Sequence, residues 1–351
     1  MSLPARLTVL PLGGIPEVPA GADLAGLLLA AVAHAGERLA EGDIVAVSSK
    51  IASKALGLTV PVDERPKAEV VARESVSVVA ERQAGTHVTR VVRSIAGPVM
   101  VAAGVDASNT GGADVLLLLP HDPDEVCRTL RHALCLASGV TRLGVVLTDT
   151  AGRPWRAGQT DYALGSAGLR VLDDLRGTVD ADGRPLEVTA RAVADEIAAA
   201  ADLVKGKATG VPAVLVRGLA ASTIDSADNE ERCGARDLVR SGPGDWFSMG
   251  SQEAVRAALG VAPGSPRSEA VGIRPAGADT VAAQVSRAVG VALATGLDAG
   301  IDVGPDRIEV SAADPVVLGA VAARLSAALA GEGVAHNLAL TDPAVVTLAH
   351  S

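Results

Sequence analysis

Aromatic side chains are almost missing from this chain: two Trp, one Tyr and one Phe among 351 residues. They are Trp155, Trp246, Tyr162 and Phe247. Rings supply most of the buried area in ordinary cores, so a core here has to be assembled from Ala, Val, Leu and Ile. The same scarcity excludes a single-stranded nucleic-acid platform, which needs several stacking rings. Hydrophobic residues are 48% of the chain and charged residues 21%, a balance that excludes a disordered chain. At ~150 residues per domain the length predicts about two domains.

The formal net charge is −10, and no long Lys/Arg run is present, so no nucleic-acid partner is expected. A phosphate-bearing small molecule stays open, because a few lysines, backbone amides or a metal ion can hold one. Cys127, Cys135 and Cys233 are odd in number and fit no zinc-ligand spacing. A reduced, cytoplasmic setting is expected. The first residues, MSLPARLTVLPLGG, lack a secretory leader's pattern, and apolar runs such as Val115–Pro120 and Ile197–Ala201 are too short to span a bilayer. No membrane partner is expected.

Hydrophobic periodicity predicts strands at Leu7–Leu12, Asp43–Val47, Val88–Val92, Val99–Ala103, Asp114–Leu119, Leu143–Leu147 and Ala213–Val216. Helices are predicted over Asp23–Leu39, Glu64–Arg82, Pro123–Ser138 and Val188–Val204. The order has no regular βαβ beat, so the fold class is α+β, mixed sheets flanked by helices, rather than a doubly wound sheet. Composition changes near Gly242. Residues 1–250 are read as one domain and 251–351 as a small C-terminal α/β domain, with Ala262–Ser268 as a linker. Within that domain, helices are predicted over Asp279–Thr295 and Pro315–Gly331 and strands at Arg307–Val310 and near Leu338.

Chemistry-bearing residues cluster where strands end. Asp106 and Asp149 each follow an apolar strand; carboxylates so placed can converge on Mg²⁺ or Mn²⁺, or can serve their own turns. Thr148, Thr150, Ser108 and Asn109 add oxygen or hydrogen-bond capacity. Lys50 and Lys54 share one helix face and could neutralise phosphates, or stand as a solvated pair. Lys205–Pro212, KGKATGVP, could wrap phosphates with backbone N–H groups, although it is not a Walker A loop. Arg153 and Arg156 flank Pro154-Trp155 and suit carboxylate or phosphate. Asp195 and Glu196 read as a solvated edge, with Arg191 pairing to Asp195 at i,i+4. The six histidines form no zinc-hydrolase motif, and no nucleophile elbow is present.

Five stretches, in order, resemble the coenzyme F420-0:L-glutamate ligase family (gamma-glutamyl ligases). They are LPLGGIPEV, DIVAVSSKIASKALG, AGVDASN, GVVLTDTAGRPWRAGQTDYALGSAG with LEVTARAVADEIAAAADLVKGKATGVPAVLVRG, and GARDLVR. The likeness runs from about residue 7 to about residue 250.

The resemblance implies a gamma-glutamyl-ligase-type fold and a GTP-dependent ligase joining L-glutamate to F420-0 through an acyl phosphate. It implies two divalent ions per subunit, Mg²⁺ or Mn²⁺, with K⁺ as helper, and a homodimer. By position, Asp106 and Asp149 would hold the first metal and Thr150 the second. Asn109 would contact GTP, as would Ile15, Pro16, Glu17, Val18, Ser49, Lys50 and Lys54. Gly206, Lys207, Ala208, Thr209, Gly210 and Val211 match the last nucleotide-binding stretch. Arg153 and Arg156 are the candidates for holding a substrate carboxylate or phosphate. Many members carry a longer, FMN-binding C-terminal domain; residues 251–351 lack that length and its Arg-Ser-Arg stretch, so no FMN is expected. Two other readings are a non-catalytic protein that binds GTP or the deazaflavin, and a metal-dependent phosphatase.

Overall fold

The computed structural model describes residues 6–206, 209–224, 234–241, 245 and 247–348; Lys207, Ala208, Cys233 and Trp246 lie outside the described residues. The chain divides into two compact units, Met1–Val76 with Arg93–Gly244, and Ser77–Val92 with Asp245–Ser351. In chain order the elements are β1 (Thr8–Leu12), α1 (Leu24–His34), β2 (Asp43–Ser48), α2 (Ser49–Ala55), β3 (Thr59–Pro61), α3 (Lys67–Arg73), β4 (Ser75–Ala84) and β5 (His87–Ser94). There follow β6 (Val99–Val101), β7 (Val115–Leu117), α4 (Pro123–Ser138), β8 (Leu143–Arg153), β9 (Arg156–Ala167), β10 (Leu172–Asp174), β11 (Ala190–Ala192), α5 (Val193–Lys205) and β12 (Ala213–Arg217). The rest are α6 (Ser251–Ala258), α7 (Pro266–Val271), α8 (Val281–Leu293), β13 (Gly300–Val303), β14 (Arg307–Ser311), α9 (Pro315–Glu332), β15 (His336–Ala339) and β16 (Ala344–Leu348). This is the expected α+β class.

The first unit is built on a mixed sheet of order β1-β12-β2-β8-β9. β2 and β8 run parallel; every other neighbour pair is antiparallel. Strands buried on both faces read as continuous apolar runs, which is why β2 is DIVAV. Val45 and Val47 point to a core shared with Leu28 and Val32 of α1 and Leu130 and Leu134 of α4. Ile44 and Ala46 point to the opposite core, with Ile197, Ala198 and Ala201 of α5. Helices therefore cover both faces, and aliphatic side chains fill both layers.

Local chemistry sets the ends of α4. The Asp122 side chain accepts the Glu125 N–H, Pro123 begins the helix, and Gly139 takes the left-handed conformation after its end. α4 lies so close to β9 that a Cβ on Gly165 would stand 2.4 Å from the Pro123 carbonyl oxygen. Glycine is required there by close approach rather than by a turn.

Three predicted elements differ, and one strand was not predicted. Glu64–Arg82 is not one helix: α3 ends at Arg73, and β4 follows. Ser75, Val76, Ser77 and Val78 alternate at period two, and that β signal outweighs the helical spacing before it. β9 has no counterpart in the prediction, because its small and polar residues gain their place by pairing with β8. The predicted helix from Val188 begins instead at Val193, after β11. The segment read as a linker contains the start of α7, whose N-cap Ser265 accepts the Ser268 N–H.

The second unit holds an antiparallel sheet of order β13-β14-β16-β15. Ile308, Val310 and Val346 of the sheet pack with Ala288 and Val291 of α8 and with Val321, Leu325 and Leu329 of α9. α9 is the one described helix long and apolar enough to cross a membrane, and its apolar face fills this core. Residues 77–92 group with this unit.

Candidate active site

The segments after β1, β2 and α5 meet at one end of the first sheet beside Thr148, Asp149 and Thr150 of β8. They enclose a cleft of about 410 Å³. Its walls include Ile15, Pro16, Glu17, Val18, Lys50, Lys54, Asn109, Asp149, Thr150, Gly206, Gly210 and Val211. The structure thus brings together most residues expected to form a site, from segments far apart in sequence.

Both cleft lysines near the β2 end have carboxylate partners. Lys50 Nζ lies 2.6 Å from Asp106 Oδ2 and donates to Ser108 Oγ at 2.6 Å and Asn109 Oδ1 at 3.2 Å. Burial works to raise the Asp106 pKa, but the hydrogen bonds from Lys50 and Ser108 outweigh it and hold the carboxyl below its ordinary value. Asp106 is thereby tied to the cleft through Lys50. Lys54 pairs with Glu17 across the entrance. Ser49 is buried rather than in the wall, and its hydroxyl donates to Asp149 Oδ1 at 3.0 Å.

Asp149 differs from Asp106. Burial pushes its carboxyl up to about 6, and the nearby Asp161 charge adds to the rise, against hydrogen bonds from Ser49 and the Thr150 N–H. Thr150 Oγ1 donates to Asp161 Oδ1 at 2.6 Å. Asp161 is only 3% exposed and ion-pairs with Lys205, 5% exposed. Burial acts to raise the Asp161 pKa, while Lys205 and the threonine hydroxyls more than offset it and hold the carboxylate charged. Lys205 Nζ also donates to Thr148 Oγ1 at 2.6 Å.

The donor chemistry around Asp149 suits a hard divalent cation: carboxylate and hydroxyl oxygens with no soft ligand. Asp149 makes no ion pair among the described residues, and the Lys50 charge only partly offsets its burial, so a bound cation would add to what its surroundings supply. Among the described residues no three His, Cys, Asp or Glu side chains form a ready-made metal cluster. Waters, hydroxyls and a ligand's phosphates would complete the shell.

Sequence reasoning singles out neither Asp161 nor Asp202, and it reads Lys205 as part of a phosphate-wrapping loop rather than as the buried end of α5. All three line the cleft. The signal for Lys205 lay in the spacing: Val193, Ile197 and Ala201 are buried at intervals of four, and Lys205 continues that stripe. Asp195 is not paired with Arg191. Arg191 lies in β11 and pairs with Asp173 at 2.7 Å, while Asp195 Oδ1 accepts the Ala163 N–H at 2.9 Å. Arg153 and Arg156 stand outside the cleft. Arg153 borders a second cavity; Arg156 is exposed at the β8–β9 turn beside Trp155, which is 83% exposed. Thr209 Oγ1 donates to the Lys205 carbonyl, which steadies the loop rather than lining the cleft.

Comparison with known proteins defines the class first. Curated relatives are ligases. The coenzyme F420:L-glutamate ligase of Halobacterium salinarum is 39% identical over 257 residues, 68% of this chain and 97% of the relative. Those of Natronomonas pharaonis (39% over 271 residues, 70% and 100%) and Archaeoglobus fulgidus (38% over 249 residues, 67% and 97%) are similar to it in the same way. The family model for F420-0:gamma-glutamyl ligase matches residues 14–218. The chain is a ligase-class enzyme and belongs to the F420-0:gamma-glutamyl ligase family. The relatives are matched nearly end to end, while about a third of this chain lies outside each match.

Proposed function

We propose that this enzyme uses GTP to join L-glutamate to coenzyme F420-0 and then extends the tail by γ-linked glutamates. The observation that carries the reading is the strand-end cleft. It brings Lys50, Lys54, Asn109, Asp149 and Thr150 around one volume suited to a polyphosphate, in a chain whose relatives are named coenzyme F420:L-glutamate ligases.

The chemistry needs no protein nucleophile. A terminal carboxylate oxygen of F420-0 attacks the γ-phosphorus; an O–P bond forms, and the bond to GDP breaks. The glutamate amine then attacks the acyl carbon. A C–N bond forms, phosphate leaves with the C–O electrons, and the amine loses a proton. Catalysis of this kind is mostly positioning and charge neutralisation. Lys50 and Lys54 would exchange their carboxylate partners for phosphate oxygens, and the loop of Gly206, Thr209, Gly210 and Val211 would close over the nucleotide. Asp106, Asp149 and Thr150 would hold two divalent cations, Mg²⁺ or Mn²⁺, which neutralise phosphate charge when bound. Arg153 and Arg156 would serve substrate carboxylate or phosphate. K⁺ as helper, a homodimer and a cytoplasmic setting complete the proposal.

The test is incubation of the purified chain with GTP, Mn²⁺, L-glutamate and F420-0, followed by mass spectrometry. The expected result is F420-0 heavier by whole glutamyl units, with GDP release that requires both F420-0 and glutamate. Phosphate release without glutamate would establish a phosphatase instead, and nucleotide binding without turnover an idle binding protein.

A further inference from the structure

The β8–β9 arm borders a second cavity, of about 430 Å³, which the nucleotide reading leaves unused. Arg153, Thr160, Tyr162, Asp195 and Glu196 stand in its walls, and Asp161 belongs to the walls of both cavities. Tyr162 is also the cross-strand partner of Asp149, so this cavity lies one residue pair from the carboxylate at the floor of the cleft.

Its recognition groups are of three kinds. Asp195 is half-buried and fixed by the Ala163 N–H at 2.9 Å, and it makes no ion pair among the described residues. Arg153 is a cation, and among the described residues its guanidinium has only a long contact, 3.5 Å, to the Ala157 carbonyl. The Tyr162 hydroxyl donates to the Met100 sulfur at 3.5 Å. A thioether is a weak acceptor, so that hydroxyl gains by turning to an anionic oxygen. An anion, a cation and a neutral donor around one small cavity match a molecule carrying an ammonium and carboxylates together.

We infer that this second cavity seats the amino-acid substrate, an acidic α-amino acid such as L-glutamate, with Asp195 on its ammonium, and Arg153 and Tyr162 on its carboxylates. The inference rests on the ligase reading and adds to it the place from which the amine approaches. Asp195 and Tyr162 are then specificity residues that leave the nucleotide untouched.

Kinetics of the full chain test it, with Asp195→Asn, Arg153→Ala and Tyr162→Phe compared with the wild type. Loss of one charge-assisted hydrogen bond predicts a glutamate KM higher by roughly 10- to 100-fold for Asp195→Asn and Arg153→Ala. The GTP KM and GDP affinity should stay within about twofold of wild type. Arg153→Ala should also narrow the preference for glutamate over glutamine. An unchanged glutamate KM in both charge variants, or a parallel rise in the GTP KM, overturns the assignment. Saturation-transfer NMR with L-glutamate reads occupancy without turnover: signal lost in Asp195→Asn supports the subsite, and equal signal sinks it. Failure of the wild type to release GDP in response to F420-0 and glutamate bears on the ligase reading alone.

Discussion

Lys205 and Asp161 show how much a single pair carries. Both are buried in a wall of the cleft, and each is the other's charge partner. Removing one partner of such a pair leaves an uncompensated buried charge, so Lys205→Met is expected to cost about 3–5 kcal/mol. Adding Asp161→Asn should recover most of that loss, because no bare charge then remains. Urea unfolding of both variants checks this. A second residue-scale case lies at the surface. The Glu41 carboxylate accepts the N–H groups of Thr141 at 2.9 Å and Arg142 at 2.7 Å, and those bonds hold its pKa below the ordinary 4.5. A carboxyl with a lowered folded pKa adds stability that is fully present above its unfolded value and is lost as pH falls through the folded one. Glu41→Gln should therefore melt below wild type at pH 7, and the two melting temperatures should converge as the pH drops below 4.5.

At the scale of elements, β9 is the instructive strand. Apart from Leu164, its buried half is small residues, Ala163, Gly165, Ser166 and Ala167, and the strand packs against α4 and α5. Gly165→Ala would set a methyl against the Pro123 carbonyl. That overpacking should cost about 1–3 kcal/mol by forcing α4 away from the strand; thermal denaturation of the single variant measures it. The outer half of β9 pairs with Asp149, Thr150 and the β8 residues that follow them to Arg153. One hairpin therefore supplies a wall of the strand-end cleft and a wall of the second cavity. Its polar, glycine-containing sequence carries neither strand periodicity nor helix periodicity. Only pairing with β8 makes it a strand, which is why sequence reading passed over it.

At the scale of the whole molecule, the chain has two units with separate cores. In the second, Glu332 is buried between two arginines: Oε1 accepts from Arg256 at 2.6 and 3.1 Å, and Oε2 from Arg287 at 2.7 and 3.0 Å. Glu332→Ala strips Arg256 of its carboxylate partner and leaves Arg287 with Asp279 alone, and should cost about 3–5 kcal/mol. Calorimetry should show the loss in the transition belonging to that core, with the first unit's transition unmoved. Glu332→Gln, which keeps an acceptor, should lose less.

The chain alone determined its aliphatic layers, because runs such as DIVAV are compatible with little but a strand buried on both faces. It determined α4, whose N-cap, proline and closing glycine are local signals, and it showed the stretches that carry the family likeness. Tertiary structure decided the rest. It made β9 a strand by pairing it with β8, set residues 77–92 in the second unit, placed Arg153 at a second cavity, and buried Lys205 against Asp161. Those outcomes depend on partners brought close only by folding: a buried charge, a small-residue strand or a cavity wall is defined by its neighbours in space, and local composition does not encode them.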